Sequence, residues 1–215
     1  MIRLIVATRN RHKLEEIRSI LGKGVECLGL DQWKEAPPLP ETGKTFEENA
    51  TQKAMALAQW LAEHEPFILE ERTWVLADDS GLEVDALGGR PGVCSARYAD
   101  PTKGQNTPDA ENNAKLLRDL EGVPFERRTA RFRCVLAVVE VPPKEVRLFE
   151  GVCEGRIVDR PRGSGGFGYD PLFQPAGYDQ TFGELPPAVK NQISHRSRAL
   201  KKFQQWMAEQ IRLED

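Results

Sequence analysis

No run of apolar residues in the sequence approaches the length of a membrane span, and the apolar stretch at residues 1–7 is too short for a signal peptide. A soluble, cytoplasmic protein without a membrane partner is the expectation. Cysteine is scarce. Cys27, Cys94, Cys134 and Cys153 lie far apart, with no Cys-x-x-Cys pair and no His at zinc-ligand spacing, so reduced thiols are expected rather than a disulfide framework or a zinc site. A basic excess is also missing: 30 Lys and Arg stand against 33 Asp and Glu, a formal net charge of -3. Duplex binding rests on many cations on one face, so a general nucleic-acid binder is disfavoured. There is no Walker A loop, no nucleophile elbow around a Ser or Cys, no internal repeat and no low-complexity tract.

What is present is the composition of a globular protein, 40% hydrophobic and 29% charged over 215 residues. That length can bury a good core as a single domain over 1–215, with room for a second lobe. Residues 2–7 form a continuous β-type run, followed by Leu14, Ile17, Ile20 and Leu21 at helical spacing. Residues 25–30 resemble a second strand. Residues 31–45, with Pro37, Pro38, Pro40 and Gly43, read as a loop; Phe46, Ala50, Ala54, Leu57, Ala58 and Leu61 then mark a long amphipathic helix, with Thr45 and Glu48 as a capping box. A strand is expected at 74–77, and loop and turn over 81–97 with a short strand at 82–84. Pro108 opens a further helix through Ala114, Leu116, Leu117 and Leu120. The runs 129–141 and 145–158, separated by Pro142-Pro143, predict an antiparallel ribbon. A glycine loop follows at 163–170, and a helix over 196–211, including Ile211, closes the chain. Strands and helices alternate, which predicts an α/β fold with a long mixed central sheet flanked by helices.

The feature closest to chemistry is the apolar run Trp74-Val75-Leu76-Ala77 ending at Asp78 and Asp79, then Ser80-Gly81. Successive side chains of an extended segment point to opposite faces, so the two acids cannot both meet one ligand unless the backbone turns between them. One is expected to be structural, and the other to stand at the carboxyl end of a strand, where open α/β sheets bind ligands. An Asp that merely starts the turn before Gly81 explains the same residues.

Four other segments bear on it. Thr8-Arg9-Asn10-Arg11-His12-Lys13 places cations at the start of a helix, where acids are favoured by about 0.3–1 kcal/mol each. A phosphate would relieve that cost; a solvated basic turn is the plainer account. Glu41, Glu47 and Glu48 offer a second carboxylate to join Asp79 around a hard divalent cation, although helix capping accounts for the latter two. Lys53 could face phosphate or solvent. Gly165-Gly166-Phe167-Gly168-Tyr169-Asp170-Pro171 suits stacking of an aromatic ring on a planar base, or a tight turn that packs both rings inward. Lys190-Asn191-Gln192-Ile193-Ser194-His195-Arg196 gathers cations and amides ahead of the last helix, part of which a helix cap at Ser194 explains.

Taken in order, these segments, with Phe46-Glu47-Glu48-Asn49-Ala50 and Pro91-Gly92-Val93-Cys94-Ser95-Ala96-Arg97-Tyr98, resemble the Ham1/RdgB family of inosine and xanthosine triphosphate pyrophosphatases over nearly the whole chain. The resemblance implies a homodimeric α/β enzyme with two lobes and a cleft between them. It further implies that Thr8, Asn10 and Lys13, within the turn that also holds Arg9, Arg11 and His12, take the triphosphate, with Lys53 as a phosphate partner. By the same resemblance Glu41 and Asp79 bind Mg2+, Asp79 is the proton acceptor, and Ser80 touches substrate. Phe167, Gly168, Tyr169, Asp170, Lys190, His195 and Arg196 would recognise base and sugar. Arg9 and His12 are larger than the residues the family often carries there, which bears on how closely backbone approaches phosphate.

The activity so implied is attack of water on the α-phosphorus of a purine nucleoside triphosphate such as dITP, ITP or XTP, leaving a monophosphate and pyrophosphate. Two competing expectations are a nucleotide-binding sensor without turnover and a Maf-type pyrophosphatase acting on modified pyrimidine triphosphates.

Overall fold

The computed structural model describes residues 3–65, 67–68 and 72–212, with the side chains of Lys103 and Ile211 outside that description. Ile2 of the expected first strand also lies outside the described residues. The elements run β1 (Arg3–Val6), α1 (Arg11–Leu21), β2 (Glu26–Gly29), α2 (Phe46–His64), β3 (Thr73–Val84), α3 (Asp109–Asp119), β4 (Thr129–Glu140), β5 (Val146–Ile157), β6 (Phe173–Pro175), α4 (Pro187–Ile193) and α5 (His195–Arg212). Six strands form one sheet in the order β2-β1-β3-β4-β5-β6. β1 is parallel to both β2 and β3, whereas β5 and β6 are antiparallel, so the sheet is mixed. β4 and β5 are joined by residues 141–145, too short for a parallel crossover, and form the expected ribbon.

The chain divides into two compact units. One comprises Met1–Asp79, Cys134–Gly151 and Arg196–Asp215; the other comprises Ser80–Arg133 and Val152–His195. Each has its own core. In the first, Leu4, Val6, Trp74, Leu76, Leu136 and Val138 from the sheet pack against Leu14, Ile17 and Leu21 of α1 and Leu200 and Phe203 of α5. The spacing 74, 76 along β3 is the two-residue period of one sheet face. In the second, Leu82, Val84, Phe132, Ile157 and Phe173 pack with Leu116 of α3, Leu120 just after it and Phe182.

Three local expectations are revised. The strand expected at 74–77 does not stop at Asp78: β3 runs unbroken from Thr73 to Val84 and absorbs the short strand expected at 82–84. Its register with β1 ends at Val6 opposite Leu76, so β3 outruns its parallel neighbour while β4 remains its other neighbour in the sheet. Asp78 and Asp79 therefore lie mid-strand, just past the carboxyl edge of the parallel strands. The capping box at α2 is displaced by one residue: Thr45 Oγ1 accepts from Glu48 N (3.1 Å), but the Glu48 carboxylate accepts from Lys44 N (2.6 Å). Pro108 is the residue before α3 rather than its first. Two elements had no expectation at all, β6 and α4, because three and seven residues are too few to show a period.

Gly155 shows how tightly β6 is seated. It pairs with Pro175, and a Cβ there would lie 2.3 Å from the Gln174 carbonyl oxygen and 2.6 Å from the Phe173 ring. Backbone cannot yield as a side-chain tip can. Gly155→Ala is expected to cost about 1–3 kcal/mol by overpacking, seen as a lower urea midpoint with an unchanged slope.

Candidate functional site

The two acids of β3 separate as the alternation of a strand demands. Asp78 is 1% exposed and faces α1 and α5: Lys13 Nζ donates to its Oδ1 (2.6 Å), Arg196 Nε to its Oδ2 (2.9 Å), and the Cys134 thiol also reaches Oδ2 (3.2 Å). Burial alone would raise this carboxyl, but Arg196 and Lys13 outweigh it and hold it well below the usual range. Burial, reinforced by the Asp78 charge, pushes the Cys134 thiol well above its ordinary value, so it stays protonated. Arg196 is itself fully enclosed, its guanidinium shared between Asp78 and Glu16. It acts as counter-ion to Asp78, a placement the expectation of base and sugar recognition did not foresee.

Asp79 turns to the opposite side, toward α2. Lys53 Nζ donates to Asp79 Oδ1 (3.1 Å), to Glu41 Oε1 (2.7 Å) and to the Asp78 carbonyl oxygen (3.0 Å), while Asn49 Nδ2 donates to Asp79 Oδ2 (3.2 Å). Burial raises the Asp79 carboxyl above its ordinary value despite Lys53 and Lys13, and Glu41 adds to the rise. Lys53 is held charged, because the attraction of Asp79 and Glu41 exceeds the cost of its own burial. The asymmetry has a simple source: Lys53 divides one ammonium between two carboxylates, so Asp79 receives only part of it.

Glu41 and Asp79 thus converge on a single cation, the ammonium of Lys53. Two hard oxygen donors of this kind fit Mg2+, which takes one or two carboxylates and fills its shell with water and substrate phosphate. Among the described residues no group of three or more His, Cys, Asp or Glu side chains gathers to hold a metal. The fit is therefore to an ion shared with a phosphate ligand rather than to one caged by protein.

In the basic turn, Asn10 caps α1 by accepting from Lys13 N (3.2 Å), and Thr8 Oγ1 accepts from Asn10 N (3.1 Å). No acid occupies the first turn of α1. Arg9 Nη2 donates to the Ala36 carbonyl (2.8 Å), and the Arg11 and His12 side chains are exposed. In the second unit, Tyr169 is buried and its hydroxyl donates to Ser95 O (2.8 Å), so that ring belongs to the core; Phe167 stays half-buried, with Lys190 Nζ 4.9 Å from its ring centre. Lys190 also pairs with Asp170 Oδ2 (2.5 Å), and His195 stacks on Phe132 with ring centres 4.8 Å apart. Both polypeptide polar groups of Gly168 are held by α3: Gly168 N donates to Asp109 Oδ2 (2.7 Å) and Gly168 O accepts from Asn113 Nδ2 (3.1 Å). Ser80, next on β3, is half-buried.

Asn49, Asp109 and Asn113 were not among the expected site residues. The signal for Asn49 was legible: with Lys53 it places polar side chains in the otherwise apolar buried stripe of Phe46, Ala50, Ala54, Leu57, Ala58 and Leu61.

The fold and site together define an α/β protein with an acid and lysine cluster at the carboxyl edge of its parallel strands, the place where such sheets bind ligands. The chain belongs to the Ham1 family, whose model matches residues 4–206. It is 49% identical over 208 residues to a dITP/XTP pyrophosphatase of Geobacillus kaustophilus, covering 96% of this chain and 95% of that protein. To a dITP/XTP pyrophosphatase of Geobacter sulfurreducens it is 50% identical over 201 residues, covering 93% and 94%. Among solved structures, a HAM1 protein from Coxiella burnetii matches with a TM-score of 0.81 and 37% identity over 97% of this chain and all of that one.

Proposed function

We propose that the protein is a Mg2+-dependent hydrolase that converts non-canonical purine nucleoside triphosphates, dITP, ITP and XTP, to the monophosphate and pyrophosphate, so removing them from the nucleotide pool. The observation that carries this reading is the convergence of Glu41 Oε1 and Asp79 Oδ1 on one cationic point, in a chain about half identical to proteins named for that activity. Water attacks the α-phosphorus, its bond to the bridging oxygen breaks, and pyrophosphate leaves. Bound Mg2+ would neutralise phosphate charge and make water more acidic. The Asp79 carboxylate accepts the proton of the attacking water, a task its raised pKa suits. Lys13, with a donor left over from its contact with Asp78, stabilises the charge that collects on the departing pyrophosphate, and Lys53, whose three donors are taken by Glu41, Asp79 and the Asp78 carbonyl, adds its positive charge. Thr8, Asn10 and the flanking Arg9, Arg11 and His12 line the same turn.

Base recognition is assigned to Phe167, Gly168, Asp170, Lys190 and His195, with Tyr169 supporting the loop from the core. A donor facing the 6-oxo group of these purines would face an amino group in ATP, and an unsatisfied buried donor costs about 1–3 kcal/mol. Phe167→Ala is expected to raise KM for dITP by about five- to 100-fold, the range of one lost base stack, with kcat changed less. The whole chain is taken to work as one two-lobed domain, in a cytoplasmic homodimer.

A panel of triphosphates, with and without Mg2+, tests the reading through pyrophosphate release. The expected result is Mg2+-dependent release from dITP, ITP or XTP, favoured over dATP and dGTP on the order of 10²-fold or more. A preference for modified pyrimidine triphosphates would replace it with a Maf-type activity. Tight binding of ITP without pyrophosphate release would replace it with a sensor.

A further inference from the structure

The loop that carries Glu41 is fastened to α2 by three consecutive backbone N–H groups. Thr42 N donates to Gln52 Oε1 (3.1 Å), Gly43 N to Asn49 Oδ1 (2.8 Å) and Lys44 N to Glu48 Oε2 (2.6 Å). Of these three acceptors, Asn49 also reaches β3. Its Oδ1 holds the loop and its Nδ2 holds Asp79 Oδ2 at 3.2 Å, with the side chain 1% exposed. Both ends of the amide are thereby committed. A flipped amide would set its oxygen against a carboxylate and its NH2 against the Gly43 N–H, so the orientation is fixed by two contacts at once.

Asn49 and Lys53 are one helical turn apart on the buried face of α2, and they grip different oxygens of the same carboxylate: Lys53 takes Oδ1 and Asn49 takes Oδ2. The Asp79 carboxylate cannot rotate without breaking one of them. The loop approaches closely as well. A Cβ on Gly43 would fall 2.6 Å from Glu48 Cβ and 2.9 Å from Asn49 Oδ1.

We propose that Asn49 is a positioning residue that holds Asp79 and the Glu41 loop at the separation from which both carboxylates can share one divalent cation. The inference rests on the reading of Glu41 and Asp79 as the metal-holding pair. Partners that orient metal-holding side chains are commonly worth about 10–100-fold in metal affinity, and Asn49 is built as such a partner to Asp79 directly and to Glu41 through the Gly43 N–H.

The test is calorimetric titration of Mn2+ into the full chain saturated with an α,β-methylene analogue of inosine triphosphate, which cannot be cleaved. Asn49→Ala is expected to weaken Mn2+ by about tenfold or more, and to raise by the same factor the Mg2+ concentration that half-activates dITP hydrolysis. KM for dITP at saturating Mg2+ should hold. In an Asp79→Asn background the same change should alter Mn2+ affinity by a clearly smaller factor than in the wild type, because only the Glu41 loop is then left for Asn49 to position. Gly43→Ala approaches the contact from the loop side and should also weaken Mn2+, which keeps the proposal testable if Asn49→Ala does not fold. Mn2+ affinity within twofold of wild type in folded Asn49→Ala, while Asp79→Asn loses it, overturns the role of Asn49 alone. Undiminished Mn2+ affinity in Asp79→Asn overturns the metal reading beneath it.

Discussion

Asp79→Asn is expected to lower kcat for dITP on the order of 10³-fold or more, the scale of losing both roles proposed for Asp79, proton acceptor and metal-holding carboxylate. The amide keeps the shape: its oxygen can still accept from Lys53, while its NH2 replaces the oxygen that accepted from Asn49, so the surrounding frame persists with that one hydrogen bond lost. Affinity for the triphosphate without metal should change by less than about threefold, since the loss falls on an interaction made in the transition state. Stability should not fall with activity. Burial raises the Asp79 carboxyl above its ordinary value, so the folded state disfavours the charged form at neutral pH, and removing that charge relieves a cost. The variant is expected to melt within a few degrees of the wild-type temperature, the lost Asn49 hydrogen bond offsetting part of the relieved charge. Near-normal pyrophosphate release from dITP would refute the assignment of Asp79, and a large drop in Tm would refute the electrostatic account of its burial.

Asp78→Asn, one residue earlier, is expected to do the reverse. Here the carboxylate neutralises a guanidinium that is 1% exposed, and Lys13 as well. Stranding one member of a buried pair costs about 3–5 kcal/mol; Glu16 remains on Arg196, which places this case toward the lower end. In a chain of this length the loss appears as a fall in Tm of roughly 6–20 °C. The double variant Asp78→Asn, Arg196→Met should lose less than the sum of the two singles, because neither charge is then left alone. The pH dependence follows from the sign of the shift. Asp78 is depressed in the folded state, so its stabilisation is complete above the unfolded value of 3.8 and is lost only as pH falls through the lower folded value. Urea midpoints of wild type and Asp78→Asn should therefore stay a constant distance apart from neutrality to about pH 4 and converge only below it.

The opposite fates of two adjacent aspartates show where the sequence was legible. Strand alternation alone implied that Asp78 and Asp79 face apart and that one is structural. Which one was decided elsewhere in the chain. Arg196 is 118 positions from Asp78, and Asn49 is 30 from Asp79. No local pattern encodes such pairings. The expected end of the strand at Ala77 erred for a related reason: acids, a serine and a glycine read as a turn, yet β3 continues to Val84 with β4 as its remaining neighbour in the sheet. Likewise Tyr169 and Phe167 look equivalent in the glycine loop, and only packing against Ser95 sends one ring into the core and leaves the other half-buried.

The sequence by itself determined the α/β class, the long amphipathic α2 with its cap at Thr45, the β4 and β5 ribbon, the acid-free basic start of α1 and the family resemblance, because periodicity, capping and motif order are properties of neighbouring residues. The tertiary structure alone decided that Arg196 is a buried counter-ion, that Lys53 stands between Glu41 and Asp79, and that Asn49 ties both to one helix. Those roles depend on the low polarity of a buried site and on side chains brought together from distant segments, where a charge survives only if another part of the chain arrives to meet it.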